Sequence, residues 1–130
     1  MVSEIPTLLK GLKMNKTNAL KKPPACTPKL YEQEGLGQSA LVYAHYFMPG
    51  TSSDWYVTEF DPEEGVIFGW AEIVPGCGEW GYTAFSELEG VSALARVRIN
   101  GNNQQLTMPI TVEYDSYWNI KTIGEVLSTR

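Results

Sequence analysis

Between Leu41 and Phe85 apolar and polar positions alternate with a period of two and are interrupted by short clusters of turn residues, the signature of antiparallel strands joined by tight connections. LVYAHYF (41–47) predicts a half-buried strand with Leu41, Tyr43, His45 and Phe47 on one face and Val42, Ala44 and Tyr46 on the other. WYVTEF (55–60) and VIFGWAEIV (66–74) follow as a hairpin across the acidic turn 61–65. Pro75, Gly76, Cys77 and Gly78 then turn the chain into GYTAF (81–85). Trp55, Tyr56, Phe60, Phe68, Trp70, Trp80, Tyr82 and Phe85 all fall within this meander, and their alternation predicts that they point inward as the core.

Beyond the meander, ALARVRI (93–99) and QLTMPITVEY (105–114) alternate on either side of Asn100-Gly101, the strongest short hairpin signal a sequence carries. Pro109 lies inside the second run and marks an edge strand or a break, because proline has no N–H to give to a ladder. Two short helices are expected. One begins at Ser86 as N-cap with Glu89 three residues on, and the other at Thr122 with Glu125 in the same relation. Upstream, Pro23 and Pro24 forbid a continuous helix through a lysine-rich stretch. Residues 1–27 therefore read as a basic flexible arm, with Ile5, Leu8, Leu9 and Leu12 at the spacing of a short amphipathic helix. Met14 is a second candidate start. Residues 28–130 read as a single α+β domain, a mostly antiparallel sheet of five to six strands with short helices.

Composition narrows the function. At 130 residues the chain is long enough to bury a core without staples. No stretch approaches the roughly 18–20 apolar residues of a membrane span. Glu4, Pro6 and Lys10 interrupt any export signal, so a cytoplasmic location and no membrane partner are expected. Cys26 and Cys77 then read as reduced thiols. With His45 the sole histidine, no zinc quartet has a recognisable spacing, and neither metal nor cofactor is expected. The net charge of −5 hides an asymmetry: residues 1–29 carry six lysines against Glu4, a net +5, and residues 30–130 carry fourteen acids against four bases, a net −10. An acidic body argues against nucleic acid as a partner except through the arm, since phosphate contacts need positive surface.

Chemistry-bearing candidates are few. Glu59 and Asp61, two positions apart, share a strand face and are the weak catalytic candidates, with Glu72, Glu87 and Glu89 as the neighbours that a metal-assisted hydrolase would bring onto them. His45 has no sequence-evident nucleophile or acid beside it. Tyr56, Phe68, Trp70 and Tyr82 offer ring faces for base stacking, but the surrounding negative charge favours core packing. Fourteen acids also suggest an acidic DNA mimic or antirestriction-type inhibitor, although their density is only moderate. A small protein-binding module needs nothing that the sequence lacks.

The motifs Pro28-Lys29-Leu30-Tyr31, Trp55-Tyr56 with Glu59-Phe60-Asp61, Phe68-Gly69, Gly81-Tyr82 with Phe85-Ser86-Glu87-Leu88, Val112-Glu113 with Asp115 and Trp118, and Thr122 with Glu125 resemble the domain-of-unknown-function family 2958 over about residues 28–127. The resemblance implies a small bacterial cytoplasmic protein carried on plasmids, integrative elements or phages, without an established activity. The family usually places an arginine where this chain has Tyr114, so a site built on that arginine does not carry over. The matched polar residues Glu87, Glu113, Asp115 and Trp118 become binding candidates, because carboxylates add little to a core. The expected function is an accessory protein of a mobile element that acts by binding an as yet unidentified protein.

Overall fold

The computed structural model describes residues 20–98 and 105–129. The expected arm helix within 1–19 and the Asn100-Gly101 turn lie outside those residues. A short 3-10 turn at Gly37–Ser39 precedes β1 (Leu41–Val42), β2 (Ala44–Phe47), β3 (Asp54–Asp61), β4 (Val66–Glu72), β5 (Gly78–Ala84) and α1 (Phe85–Gly90). β6 (Ser92–Arg98), β7 (Gln105–Thr111), β8 (Glu113–Tyr114), β9 (Lys121–Thr122) and α2 (Ile123–Ser128) complete the order. The principal sheet is antiparallel and runs β5-β4-β3-β2-β8, while β1 pairs with β9 and β6 with β7. This is the α+β, mainly antiparallel architecture that the alternation predicts.

Opposed residues of an antiparallel ladder project to the same side, so the register defines two faces. On the first, Ala44, Tyr46, Trp55, Val57, Phe60 and Ile67 pack with Phe85 and Leu88 of α1 and with Val112 into a buried cluster. Leu20 packs against it too, and the Tyr46 hydroxyl donates to the Lys21 carbonyl at 2.6 Å. Burial, with Tyr114 beside it, pushes the Tyr46 phenol far above its ordinary range. The second face carries two cross-strand rows, His45–Tyr56–Trp70–Trp80 and Glu59–Phe68–Tyr82. A bulge between Val57 and Glu59 makes this split. The extra residue, Thr58, changes the alternation and sends Phe60 to the first face and Glu59 to the second. Opposite the bulge, a Cβ on Gly69 would run into the Tyr56 carbonyl, so only glycine allows β3 and β4 to approach.

Several expectations need correction. The run 41–47 is not one strand. It breaks at Tyr43, because Val42 turns away to join Tyr56, Ile123 and Val126 in a second buried cluster beneath α2. The strand 66–74 ends at Glu72, whose carboxylate accepts the Gly76 N–H at 2.9 Å and closes the turn, leaving Ile73 and Val74 exposed. Ser86 is not a helix cap. The helix starts at Phe85 with Ala84 as N-cap and no capping side chain, and the burial of Phe85 and Leu88 sets its phase. The run 105–114 divides at Val112, which is buried in the first cluster. Pro109 sits within β7 opposite Leu94, and among the described residues β7 pairs only with β6.

The prediction that all eight rings of the meander form the core holds for four of them. Trp55, Tyr56, Phe60 and Phe85 are buried, Phe68, Trp70 and Trp80 are half-buried, and Tyr82 is 55% exposed. The exception follows from position. Phe68, Trp80 and Tyr82 lie toward the β5 edge of the second face, where none of the described helices covers them.

Candidate functional site

Residues 29–40 form the wall of a cleft over this uncovered part of the sheet. They are a chain of tight turns, with N–H to carbonyl hydrogen bonds from Glu32 to Lys29, Glu34 to Tyr31, Leu36 to Gln33, Ser39 to Leu36 and Ala40 to Gly37. Glu59 fixes this wall to the sheet. Its buried carboxylate accepts the Tyr31 and Gln33 N–H groups, each at 2.8 Å. The Gln33 side chain donates to the carbonyls of Leu41 and Thr58, both at 2.8 Å, and its oxygen accepts the Leu41 N–H at 2.8 Å. Tyr31 takes a positive φ of 74°, uncommon for a residue with a Cβ, and Glu59 holds it there.

The wall and the sheet enclose a volume of about 450 Å³, between Tyr31, Gln33 and Glu34 on one side and Phe68, Trp80 and Tyr82 on the other, with Thr58 and Glu59 between them. Phe68 stacks on Trp80 with centroids 5.7 Å apart and planes 8° apart, and lies 4.7 Å from Tyr82. Tyr31 faces Tyr82 across the mouth, with ring centroids 6.5 Å apart and planes tilted by 59°. The Tyr82 phenol is raised above its ordinary range, first by desolvation, then by Tyr31 and by the charges of Glu59 and Glu34. Four rings and two carboxylates therefore share one cleft, and its described lining contains no lysine, arginine or histidine.

The sequence-predicted candidates fall into separate places. Glu59 and Asp61 share a face as expected, yet they serve different segments: Asp61 Oδ1 accepts the Glu63 and Glu64 N–H groups within its own turn. Glu87 lines a shallower cleft of about 610 Å³ beside Trp55 and Leu88. Glu113 is exposed on β8, paired with Phe47. Asp115 and Trp118 come together around His45. The imidazole Nδ1 lies 2.9 Å from Asp115 Oδ2 and Nε2 lies 2.7 Å from Asp54 Oδ1. The ring stacks on Tyr56 at 4.7 Å and meets Trp118 at 5.2 Å. The Trp118 indole N–H donates to the Val42 carbonyl at 2.9 Å, and Lys121 Nζ lies 4.7 Å from the Trp118 ring centroid. Both nitrogens of His45 are thus engaged within the fold. The arrangement staples β2, β3 and the segment after β8.

No group of three or more histidine, cysteine, aspartate or glutamate side chains is placed to hold a metal ion among the described residues. Cys26 and Cys77 are free and exposed. No helix among the described residues is long and apolar enough to cross a membrane. Sequence reasoning missed the role of Gln33, Glu34 and Trp80 in the cleft. The available signal was the phase of β5, where Trp80 and Tyr82 alternate with Gly81 and Thr83, so that its two rings share one side.

No curated protein and no solved structure matches the chain at a significant level. The family described as Protein of unknown function (DUF2958) matches residues 28–117, which include the wall, all four rings of the cleft, Glu59, His45, Asp54 and Asp115, and the chain belongs to that family.

Proposed function

We propose that this chain is a non-enzymatic binding protein, an accessory of a plasmid, integrative element or phage, which takes a segment of a partner protein into the cleft between residues 31–40 and the β4–β5 rings. The observation that carries this reading is the cleft itself: rings face an open volume while the polar groups that build its wall are spent on one another. Glu59 braces the wall, His45 is a staple, and Asp61 and Glu125 close local turns and caps, which leaves surface complementarity as the chemistry on offer. Exposed aromatic rings in a concave site are the usual anchors of recognition.

Proteins retained from a lysate of the native host by the wild-type chain should be lost by the Tyr82→Ala variant and kept by an exposed substitution elsewhere, such as Glu63→Gln. Identical retention by wild type and Tyr82→Ala, or retention of nucleic acid in place of protein, would overturn the proposal.

A further inference from the structure

The cleft's electrostatics specify more than a generic docking groove. Its described lining holds four aromatic rings, two carboxylates and no basic side chain. An aromatic face is electron-rich and attracts a cation within about 6 Å of its centroid, the more so where water is thinned out. Glu34 at the exposed rim adds a carboxylate that a guanidinium or ammonium group can reach. Glu59 adds negative charge from below. Both carboxylates act on the Tyr82 hydroxyl, so their field reaches the ring at the mouth. An anionic or phosphate-bearing ligand would meet repulsion from every charged group in the lining.

Resting on the reading of the cleft as a docking site for a protein segment, we propose that the cleft is a receptor for a cationic side chain, arginine or lysine, presented by a basic segment of the partner. The charged head lies against Tyr31, Trp80 and Tyr82 with Glu34 as its counter-ion. The volume of about 450 Å³ is within the range of about 300–1,000 Å³ for ligand clefts. More than one side chain is needed to fill it, so apolar atoms flanking the cation contact Phe68 and the inner part of Trp80. Charge complementarity favours this occupant: an acidic cleft on a body of net charge −10 attracts a basic segment before contact and selects it on contact.

The test uses the full chain and four probes: the N-acetyl amides of arginine, lysine, citrulline and leucine. Citrulline has the shape of arginine without its charge. NMR titration follows the Trp80 indole and Tyr82 ring signals. The two cationic probes should give saturable shifts, with citrulline and leucine about tenfold weaker or worse. Glu34→Gln and Tyr82→Ala should each weaken the arginine probe by about three- to tenfold. Glu63→Gln removes the same charge away from the cleft and should leave binding unchanged. Equal binding of citrulline and arginine, or equal losses in Glu34→Gln and Glu63→Gln, overturns the cation reading but leaves the cleft as an apolar docking site. Silence of both rings toward all four probes removes both readings. If the rings respond only when Lys10, Lys13 and Lys16 are replaced by glutamine, the chain's own arm is the occupant and the partner proposal falls.

Discussion

The two faces of the principal sheet are built from the same alternating pattern and meet different fates. On the first face Tyr46, Trp55, Val57, Phe60 and Ile67 are closed over by α1, Val112 and Leu20, and every buried member of that cluster is at most 8% exposed. On the second face α2 and Trp118 cover the β2–β3 half, while the β4–β5 half keeps Tyr82 at 55% exposure beneath a wall that stands off from it. Aromatic residues in a strand therefore do not declare whether they are core or surface. What decides is whether another segment of chain packs over them, and among the described residues that covering reaches Trp70 and Trp80 but thins out at Tyr82.

This contrast predicts the largest difference between two substitutions of similar size. Phe85→Ala removes a ring that is 3% exposed at the centre of the first cluster and should cost about 3–5 kcal/mol, measured as a shift in the urea unfolding midpoint. Tyr82→Ala removes a ring from the open half and should change stability by less than about 0.5 kcal/mol. A Tyr82→Ala cost comparable to that of Phe85→Ala would mean that the cleft is closed in solution and the comparison is wrong.

Glu59 stands between these extremes, a buried carboxylate on the open face. Glu59→Gln keeps one oxygen for the Tyr31 or Gln33 N–H but turns an amide NH₂ toward the other. One buried donor is then left unpaired, at a cost of about 2 kcal/mol. Thermal melting should show this loss. The contact between the Tyr31 and Tyr82 rings should weaken as well, seen as reduced inter-ring nuclear Overhauser effects, because the positive φ of Tyr31 has lost its restraint. A stability loss with the ring contact unchanged would show that Glu59 holds the sheet but not the wall.

Much of the first face is legible in the sequence, because the alternation in 41–47 and 55–60 and the turns at 61–65 and 75–78 are local signals. The Thr122–Glu125 box is legible for the same reason: both of its partners lie within one helical turn. The cleft is not legible, because its wall depends on hydrogen bonds that Glu59 accepts and Gln33 donates across 8–28 residues of sequence. The bulge at Thr58 has no local signature either. A strict alternation would put Glu59 with Val57 and leave Phe60 opposite, whereas the observed shift places a carboxylate where only a loop with free N–H groups can receive it. Ser86 failed as a cap because burial of Phe85 outweighed a local hydrogen bond of about 1 kcal/mol.

The smallest effect concerns the edge of the covering. α2 buries Ile123 and Val126 against Tyr56 and Val42, and its first turn is closed by reciprocal bonds: the Thr122 N–H donates to Glu125 Oε1 at 2.8 Å, and the Glu125 N–H donates to Thr122 Oγ1 at 3.1 Å. The Thr122 backbone N–H, followed by the Thr122 side chain and the charge of Lys121, holds the Glu125 carboxyl below its ordinary value. A carboxyl depressed in the folded state contributes stability that is present above its unfolded pKa of about 4.3 and is lost as the pH falls through the folded value. The stability difference between wild type and Glu125→Gln should accordingly be constant near neutral pH and shrink as the pH falls below about 4. If α2 sets the boundary between the covered and open halves, the same variant should leave Phe85 packing untouched while the Trp118 indole signal shifts, because Trp118 packs against the cluster that α2 completes. A difference that persists undiminished into acid would assign the role of Glu125 to packing rather than charge, and the covered half of the second face would then owe its closure to Ile123 and Val126 alone.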